Sequence, residues 1–310
     1  MANIAEFRCK KEEIMNYIGI SFLALVPALL LCWYVYSKDR VEKEPFGLLL
    51  LLFAAGAVLY LPAILAENAI IGLFDKAFSA DIEYSLTGVA TFLSSGAKLK
   101  HSLLCGVVAV AVIEESAKWL VLYLITFKNK NFSHLFDGVV YAVFVSLGFA
   151  AAENVRFAIM DGWDTFIIRS VTSVPAHMIF GVLMGVAYTA WHMWLLAKKK
   201  EKILECEGVI KIEKTVKSGH WLVVSVALPI AVHGFYSFAH FFDSETVTAI
   251  YYAVILVIFA VSFVYLRWLS AVDRVDDEVA FGLLGAKYPA LKNKEDTTLD
   301  DLEAMERGDE

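Results

Sequence analysis

Residues 47–71 read GLLLLLFAAGAVLYLPAILAENAII, an apolar run in which Glu67 is the only charged side chain. A helix of this length spans the hydrocarbon core of a bilayer. The whole chain has the same character: 59% of its 310 residues are hydrophobic, 20% are charged, and the mean hydropathy is +0.62. A soluble domain is less apolar and carries more charge. The sequence therefore predicts a polytopic membrane protein and argues against a soluble α/β enzyme.

Apolar runs of similar length recur along the chain. They predict an all-α fold, a bundle of about seven transmembrane helices. The expected spans are 14–36, 47–71, 102–127, 137–160, 165–197, 220–242 and 246–270. The half-polar segment 72–101 is expected to lie outside the membrane with an amphipathic or re-entrant piece, and a crossing there would make eight spans. We expect residues 1–270 to form one membrane domain with its core at 33–242.

Charge is distributed unevenly along the chain. Residues 271–310 hold 12 of the 34 Asp and Glu residues and 5 of the 27 Lys and Arg residues, so the net charge of -7 belongs to this acidic tail. No basic stripe of the kind that binds nucleic acid is present. With seven spans, the loops on one side of the membrane hold 6 Lys and Arg residues and those on the other side hold 13. The positive-inside rule then predicts a cytoplasmic tail and an extracytoplasmic N-terminus.

Ionisable side chains recur inside four of the expected spans, where they are costly unless they are paired or face a wet cavity. In chain order they are Glu114, Glu115, Lys118, Glu153, Arg156, Arg169, His177 and His233. At a rise of about 1.5 Å per residue, each of the four helices carries a carboxylate or an imidazole roughly 11–18 Å below the same membrane surface. This common depth predicts a shared polar cavity.

The spacing around Lys118 suits ion pairing. Lys118 follows Glu114 by four residues and Glu115 by three, so its ammonium group reaches either carboxylate. It could keep one carboxylate ionised while the other accepts a proton from water, as a general base does. A structural ion pair without a catalytic role remains an alternative interpretation.

The fifth span combines a histidine with helix-packing signals. His177 is followed by Gly181 and Gly185, a G-x-x-x-G pair that favours close helix approach. Pro175 predicts a kink that would free backbone groups near His177.

Two adjacent acids, a third acid and two histidines support two kinds of chemistry. They activate water directly, or they bind a divalent metal such as Zn²⁺, which makes its water ligand more acidic. Both routes lead to peptide hydrolysis within a membrane. The sequence lacks the H-E-x-x-H of zincins, the G-x-G-D of aspartyl intramembrane proteases and the G-x-S-G of rhomboid proteases. The four cysteines are scattered without C-x-x-C spacing.

Five motifs follow one another in a fixed order. They are Asp39–Pro45 (DRVEKEP), Glu114–Lys118 (EESAK), Asp137-Gly138 with Tyr141 and then Gly148–Asn154 (GFAAAEN), Arg169 with Pro175–His177, and Val232–Tyr236 (VHGFY). Together they resemble the PrsW family of intramembrane proteases, distant relatives of the CAAX prenyl proteases and the bacteriocin-processing Abi enzymes, over about residues 33–240. The sequence departs from the family at Ser237, where Asp or Asn is expected.

The resemblance implies a catalytic domain in the membrane and a peptidase of the bacterial cytoplasmic membrane, either a metalloprotease or a metal-free glutamate protease. The implied substrate is a single-pass membrane protein such as an anti-sigma factor, whose site-1 cleavage releases a stress response. The implied catalytic residues are Glu114, Glu115, Glu153, His177 and His233. The implied supporting residues are Lys118, Asn154, Arg169 and Ser237, with Asn154 or Ser237 assisting a histidine at the oxyanion. The implied ligands of a metal, Zn²⁺ or another divalent ion, are Glu115, Glu153, His177 and His233.

Two other functions stay open at this point. Intramembrane Glu, Lys and His side chains also build the relays of proton- or ion-coupled transporters, although the sequence shows neither inverted repeats nor paired broken helices. A membrane scaffold that signals through its acidic tail is the third interpretation, and residues 292–310 of that tail are expected to be disordered. The oligomeric state is not predicted.

Overall fold

A computed structural model describes residues 2–84, 90–242, 244–288 and 291, and these residues are almost entirely helical. In chain order the α-helices are α1 (Ala2–Lys38), α2 (Phe46–Ala77), α3 (Ser95–Leu103), α4 (Ile113–Thr126), α5 (Asp137–Val171), α6 (Ser173–Cys206), α7 (Gly219–Phe242), α8 (Glu245–Ala271) and α9 (Asp276–Lys287). Between α3 and α4 the chain continues as a π-helix over Leu104–Val112. A 3-10 turn at Ser79–Asp81 and an antiparallel hairpin of β1 (Ile82–Tyr84) and β2 (Ala90–Phe92) join α2 to α3. The predicted all-α class is confirmed.

Several helices are long and apolar enough to cross a membrane. They are Ile18–Lys38, Phe46–Ala77, Asp137–Cys206, Gly219–Phe242 and Glu245–Ala271, and the third of these contains α5 and α6 in succession. The helical run 95–126 adds another crossing, because the loop before α2 and the loop after α4 lie together: the Glu42 carboxylate is 3.7 Å from Nδ1 of His134. The protein is therefore a multi-pass membrane protein whose helices correspond to the seven expected spans.

The connections gather at two ends of the bundle. The end that we call the basic end holds residues 39–45, 127–136, 207–218 and α9, and the hairpin end holds β1, β2 and residues 160–172. At the basic end the Asp273 carboxylate accepts a hydrogen bond from the backbone N–H of Phe136 at 2.9 Å. This bond fixes the start of α5 next to the chain that leaves α8.

The centre of the bundle is formed by α5 and α6. In the 18-residue apolar window of their combined stretch 83% is buried, whereas in the corresponding windows of the other candidate spans 11–33% is buried. The close approach predicted from G-x-x-x-G is confirmed: a Cβ atom on Gly185 would lie 2.5 Å from Cα of Val139, and one on Gly181 would lie 2.9 Å from Cα of Val143. The outer helices present large apolar side chains on the lipid-facing surface, for example Phe22, Trp33, Leu61 and Leu256.

The boundary between the fourth and fifth spans differs from the prediction. α5 continues past residue 160 to Val171 and is interrupted at Gly162, whose φ of 80° and ψ of -166° suit glycine. The chain turns at Thr172, and α6 begins at Ser173. Pro175 therefore lies in the first turn of α6, where no intrahelical donor is lost, so it starts the helix instead of kinking it.

The half-polar segment 72–101 adds no further crossing within its described part. α2 extends to Ala77, the 3-10 turn and the hairpin follow, and α3 begins after Ser94, whose hydroxyl accepts a hydrogen bond from the N–H of Ala97 at 3.1 Å. Residues 85–89 of this segment lie outside the described residues. The two short strands are far below the length that a crossing requires.

The beginning of the acidic tail is folded as α9. Ala280 and Leu284, one turn apart, pack against Ala197 and Leu204 of α6. The Lys287 ammonium group and the Tyr288 hydroxyl both contact the Glu201 carboxylate of α6, and the latter distance is 2.7 Å. Up to residue 288 the tail is therefore folded and packed against α6, and it is not a solvated segment throughout. Residues 292–310, for which disorder is predicted, lie outside the described residues.

Candidate active site

Helices α2, α4, α5, α6 and α7 contribute polar side chains to one cavity of about 720 Å³, close to the hairpin end. The ionisable and hydroxyl-bearing residues that line it include Tyr60, Glu67, Glu114, Glu153, His177 and His233. Four of the five residues expected to be catalytic therefore line a single cavity. The fifth, Glu115, has no exposed surface and lies behind Glu114.

Lys118 lies at the centre of this group. Its ammonium nitrogen is 2.8 Å from Oε2 of Glu114 and 2.8 Å from Oε1 of Glu115, as the i,i+4 and i,i+3 spacings predict. The same nitrogen is 3.1 Å from Nδ1 of His177 on α6, and it lies 4.1 Å from the ring centroid of Phe149 on α5. The side chain is fully buried, so these contacts replace its hydration.

A second ion pair holds the opposite side of His177. Nε2 of His177 is 3.1 Å from Oε2 of Glu153, and the same carboxylate oxygen is 2.6 Å from Nη2 of Arg169. The Arg169 guanidinium also donates to the Ser173 hydroxyl at 2.9 Å and stacks 4.0 Å from the Phe157 ring. Arg169 can reach Glu153 because the chain returns past Gly162 and turns before α6.

His233 completes the group from α7. Its Nδ1 lies 2.7 Å from Oε1 of Glu115 and 3.9 Å from Oε2 of Glu114. The His233 ring stacks on Phe180 with the centroids 4.6 Å apart, and its centroid is 5.4 Å from that of His177. A continuous series of polar contacts therefore runs from Arg169 to His233.

Backbone geometry brings α7 to the two glutamates. A Cβ atom on Gly106 would lie 2.5 Å from the backbone nitrogen of Phe238, so α7 packs directly on the backbone of the π-helix. The π-helix leads immediately into the turn that carries Glu114 and Glu115. Because a π-turn contains more residues than an α-turn, this segment changes the helix face on which the two glutamates lie.

The centre carries a negative formal charge. Three carboxylates (Glu114, Glu115 and Glu153) are opposed by Lys118 and Arg169, which leaves -1 when both histidines are neutral. Glu67 and Arg156 also line the cavity and leave this count unchanged, and Oε1 of Glu67 is buried without a hydrogen-bond partner among the described residues. A net buried charge is costly in low dielectric. The arrangement therefore favours a bound cation or a protonated histidine.

The two expected oxyanion-stabilising residues lie in different places. Ser237 lines the cavity one turn after His233. Asn154 does not reach it: its Nδ2 donates to the backbone carbonyl of Ala24 on α1 at 2.9 Å. One residue along an α-helix rotates the side chain by about 100°, so the neighbour of Glu153 faces a different helix. The structure thus places Asn154 in a contact between α1 and α5.

One of the five motifs, Asp39–Pro45, and the first half of another, Asp137–Tyr141, lie at the basic end, away from the cavity. In the first, Oδ2 of Asp39 accepts the backbone N–H of Glu44 at 3.1 Å. In the second, Tyr141 donates to the carbonyl of Asn131 at 3.1 Å. Asp137 and Glu153 are 16 residues apart on α5, or about 24 Å. Burial, and secondarily the neighbouring Asp137 carboxylate, raise the pKa of Glu44 to about 8.

Two parts of the site were missed by sequence analysis. Glu67 was visible as a lone charge in an apolar run, but its spacing links it to none of the motifs. The π-helix of residues 104–112 has no sequence signal, because its composition is that of any apolar span. Both features come from contacts between helices distant in sequence.

A divalent metal fits one part of the centre. Among the described residues, Glu114, Glu115 and His233 offer ligand atoms that all lie within 4.8 Å of one another, and all three side chains are buried. Oε2 of Glu115 is buried there without a hydrogen-bond partner in the described part of the chain. Carboxylate oxygen and imidazole nitrogen are the donors that Zn²⁺ takes in hydrolases. Glu153 and His177, also expected as ligands, are paired with each other instead.

Comparisons with known proteins address the family. Residues 44–266 match the description PrsW family intramembrane metalloprotease. The chain belongs to this family. Protease PrsW of Oceanobacillus iheyensis is 28% identical over 221 residues, covering 71% of this chain and 82% of the relative. Protease PrsW of Clostridioides difficile is 27% identical over 263 residues, with coverage of 84% and 91%. Protease PrsW of Bacillus subtilis is 28% identical over 214 residues, with coverage of 69% and 79%. No solved structure matches.

Membership in the PrsW family decides between the three functions that the residues left open. The protein is a peptidase, an intramembrane metalloprotease. Its substrate is accordingly embedded in a membrane, and the lipid bilayer surrounds its apolar helices.

Proposed function

We propose that the protein is an endopeptidase that cleaves a single-pass membrane protein, such as a membrane-anchored anti-sigma factor, near the membrane surface at the hairpin end. The residues that carry the reaction are Glu114, Glu115, Glu153, His177 and His233. One observation carries the proposal: Lys118 contacts Glu114, Glu115 and His177, and these bind His233 of α7 and Glu153 of α5 in turn, so that four helices meet beside a cavity large enough for a peptide segment. Residues 1–270 are the catalytic domain.

The two adjacent glutamates have different roles in this proposal. Glu114 lines the cavity, so its carboxylate is the one that meets water and takes the proton of the attacking water molecule. Glu115 lies behind it, held by Lys118 and by His233. Glu115 therefore acts as a positioning residue for His233.

The contacts of Lys118 indicate which ring nitrogen of His177 carries the proton. An ammonium group only donates, so Nδ1 of His177 accepts from Lys118 and Nε2 of His177 donates to Glu153. His177 is thus neutral with one defined tautomer. His233 differs, because its Nδ1 donates to Glu115 at 2.7 Å and lies 3.9 Å from Glu114.

The reaction then proceeds with the residues of the cavity. Glu114 removes a proton as water adds to the scissile carbonyl carbon. The imidazolium of His233, through Nε2, and the hydroxyl of Ser237 donate hydrogen bonds to the oxyanion that forms. When the carbon–nitrogen bond breaks, Glu114 returns its proton to the leaving amine. Arg169 and Glu153 keep His177 and Lys118 in place throughout.

The alternative to this direct route uses a divalent metal, Zn²⁺ or another ion, which would be held by Glu114, Glu115 and neutral His233 in place of the proton-transfer roles given above. When bound it would make its water ligand acidic enough to supply hydroxide at neutral pH. Lys118 would then share the two carboxylates with the metal. The negative formal charge of the centre supports this assignment.

The orientation belongs to the same proposal. The basic end faces the cytoplasm of a bacterial cell, because its loops carry the larger number of Lys and Arg residues. The N-terminus and the hairpin end are then extracytoplasmic, and cleavage takes place in the outer part of the cytoplasmic membrane.

The test is a comparison of membranes from cells that make the wild type or one variant. The variants are Glu114→Gln, Glu115→Gln, His233→Ala and the control Glu207→Gln, which makes the same chemical change at an exposed position. Terminus-resolved proteomics is expected to find new ends in a single-pass protein with the wild type and the control only. Each variant's abundance is measured on a blot. Unchanged cleavage by well-folded Glu114→Gln and Glu115→Gln would refute the assignment of the centre.

A further inference from the structure

A second cluster of possible metal ligands lies at the hairpin end. Asp75, near the end of α2, places Oδ1 2.8 Å from Nε2 of His101 on α3. Cys105, in the π-helix, places Sγ 3.6 Å from the same nitrogen. The three ligand atoms all lie within 4.8 Å of one another. None of these residues belongs to the five motifs or to the cavity lining.

Two aromatic rings flank His101. Its ring packs edge-on to Phe78, with the centroids 5.5 Å apart, and lies 5.1 Å from the ring of Phe92 on β2. The Cys105 side chain is fully buried, and the Asp75 side chain is 50% exposed. The cluster is therefore closed on the protein side and open to water on the side of Asp75.

Hydrogen bonding accounts for only part of this geometry. Nε2 of His101 carries at most one hydrogen, yet both Asp75 and Cys105 approach it. One cation between the three atoms would satisfy both contacts. In a tetrahedral zinc site, bonds of about 2.0 Å to nitrogen and 2.3 Å to sulfur separate the two donors by about 3.6 Å. The distance from Nε2 to Sγ has this value, but Sγ also lies 3.8 Å from Nδ1, so the His101 ring has to rotate before Nε2 and Sγ can share one cation.

The third ligand, Asp75, lies too close to Nε2 of His101 for both atoms to bind one zinc ion without a small movement. A tetrahedral site separates nitrogen and oxygen donors by about 3.4 Å, so Asp75 has to withdraw by roughly half an ångström. Its half-exposed side chain at the end of a helix allows this movement. Three protein ligands leave a fourth position for water, which is the pattern of an exchangeable site.

We propose that Asp75, His101 and Cys105 form a metal-binding site, distinct from the active centre, for Zn²⁺ or a similar thiophilic divalent ion. Bound metal would link the end of α2 to the π-helix that leads to Glu114. The site does not depend on the proposed reaction, because the two clusters share no residue.

The experiment uses Co²⁺ as the probe on the full-length protein in detergent. A thiolate ligand gives Co²⁺ a sulfur-to-metal charge-transfer absorption, whereas the proposed active centre contains no cysteine and cannot produce it. In a background with Cys9→Ser, Cys32→Ser and Cys206→Ser, Cys105 is the only thiol. This protein is expected to develop the absorption and to saturate within two equivalents of Co²⁺, since the proposed active centre can take up the other. Added Zn²⁺ is expected to remove it.

Matched variants locate the ligands. Adding Cys105→Ser to that background is expected to abolish the absorption. Asp75→Asn is expected to weaken Co²⁺ binding by roughly 10-fold or more, since even indirect partners of metal ligands contribute that much. Asp81→Asn, an acidic residue in the neighbouring turn, is the control and should leave the affinity unchanged.

Folding is checked for each variant by gel filtration and circular dichroism. If Cys105→Ser fails to fold, Asp75→Asn and His101→Gln decide the question. The proposal is overturned if the folded Cys105-only protein gives no charge-transfer absorption. It is also overturned if Asp75→Asn and His101→Gln bind Co²⁺ as tightly as the parent protein.

Discussion

The ammonium nitrogen of Lys118 lies 3.1 Å from Nδ1 of His177, although the two residues are 59 positions apart in the chain. Lys118 thereby joins the E-E-x-x-K motif of α4 to the histidine of α6. Since the same nitrogen contacts Glu114 and Glu115, it organises both parts of the centre. It supplies charge compensation, and it also determines which nitrogen of His177 carries the proton.

The first prediction concerns the charge of Lys118. Lys118→Met leaves two buried carboxylates without their cation, and removal of one partner of a buried ion pair costs about 3–5 kcal/mol. We expect the free energy of unfolding to fall by this order, as measured by denaturant unfolding in detergent. Lys202→Met, at an exposed position of α6, is the control and should change it little.

A second substitution makes the test of Lys118 specific. Glu115→Gln in the Lys118→Met background removes one of the two stranded charges, so part of the lost stability should return. The effect of Glu115→Gln on the free energy of unfolding is measured in the wild type and in Lys118→Met. If Glu115→Gln destabilises both proteins equally, the two residues are not coupled and the ion pair is not the source of the loss.

The second prediction concerns the support of His177. Glu153→Gln keeps the shape of the side chain but removes the charge that accepts from Nε2 of His177 and pairs with Arg169. We expect cleavage of the identified substrate to slow by about 10- to 100-fold, as for other residues that orient a catalytic group. Rates are measured per folded molecule in detergent. Cleavage at the wild-type rate would show that Glu153 does not support the centre.

The third prediction separates Asn154 from its neighbour. Asn154→Ala removes the hydrogen bond to the Ala24 carbonyl between α5 and α1. We expect a loss of about 0.5–1.5 kcal/mol in stability, the usual net contribution of one hydrogen bond, because the Ala24 carbonyl keeps its helical hydrogen bond within α1. The cleavage rate per folded molecule should stay the same. A rate loss like that of Glu153→Gln would instead indicate a role at the oxyanion.

The fourth prediction concerns the contact between α5 and α6. A Cβ atom at Gly185 would meet Cα of Val139 at 2.5 Å, so Gly185→Val has to push the central helices apart. Overpacking of this kind costs about 1–3 kcal/mol or more, and it should also lower the cleavage rate because His177 lies on α6. Thermal unfolding and cleavage are measured together.

Gly282 of α9 provides the matched control for Gly185. A Cβ atom there meets nothing within 4 Å. Gly282→Ala should be neutral or should stabilise α9 by up to about 1 kcal/mol, because alanine favours the helix. Equal losses at both positions would mean that the close approach of α5 and α6 is not the cause.

The fifth prediction is a pH dependence at the basic end. Burial raises the pKa of Glu44 from 4.5 to about 8, so between these values the folded protein binds more protons than the unfolded chain. The stabilising effect of the protonated form is complete below pH 4.5 and is lost as the pH rises to about 8. Glu44→Gln should therefore flatten the decline in thermal stability over this range.

Glu42→Gln is the control for Glu44, since this residue lies in the same loop with a side chain that is 70% exposed. It should keep the decline of the wild type. If Glu44→Gln shows the wild-type decline as well, the pH dependence arises elsewhere.

The sequence by itself determined the class of the protein and singled out most of the ionisable residues that meet at the cavity. Long apolar runs have few stable structures in a bilayer other than helices, so length and hydropathy were sufficient to predict the spans. Charged residues within those runs stood out because lipid makes them costly. Local spacing predicted the pairing of Lys118 with both glutamates and the contact at Gly181 and Gly185.

Only the tertiary structure decided which of these side chains face the cavity and which contact a neighbouring helix. Glu114 faces the cavity and Glu115 does not, which depends on the π-helix and on the backbone contact of Gly106 with α7. Asn154 contacts α1, and Glu67 reaches the cavity from α2. The physical reason is that local spacing defines neighbours along one helix, whereas the rotation of each helix against the others depends on packing across the whole bundle.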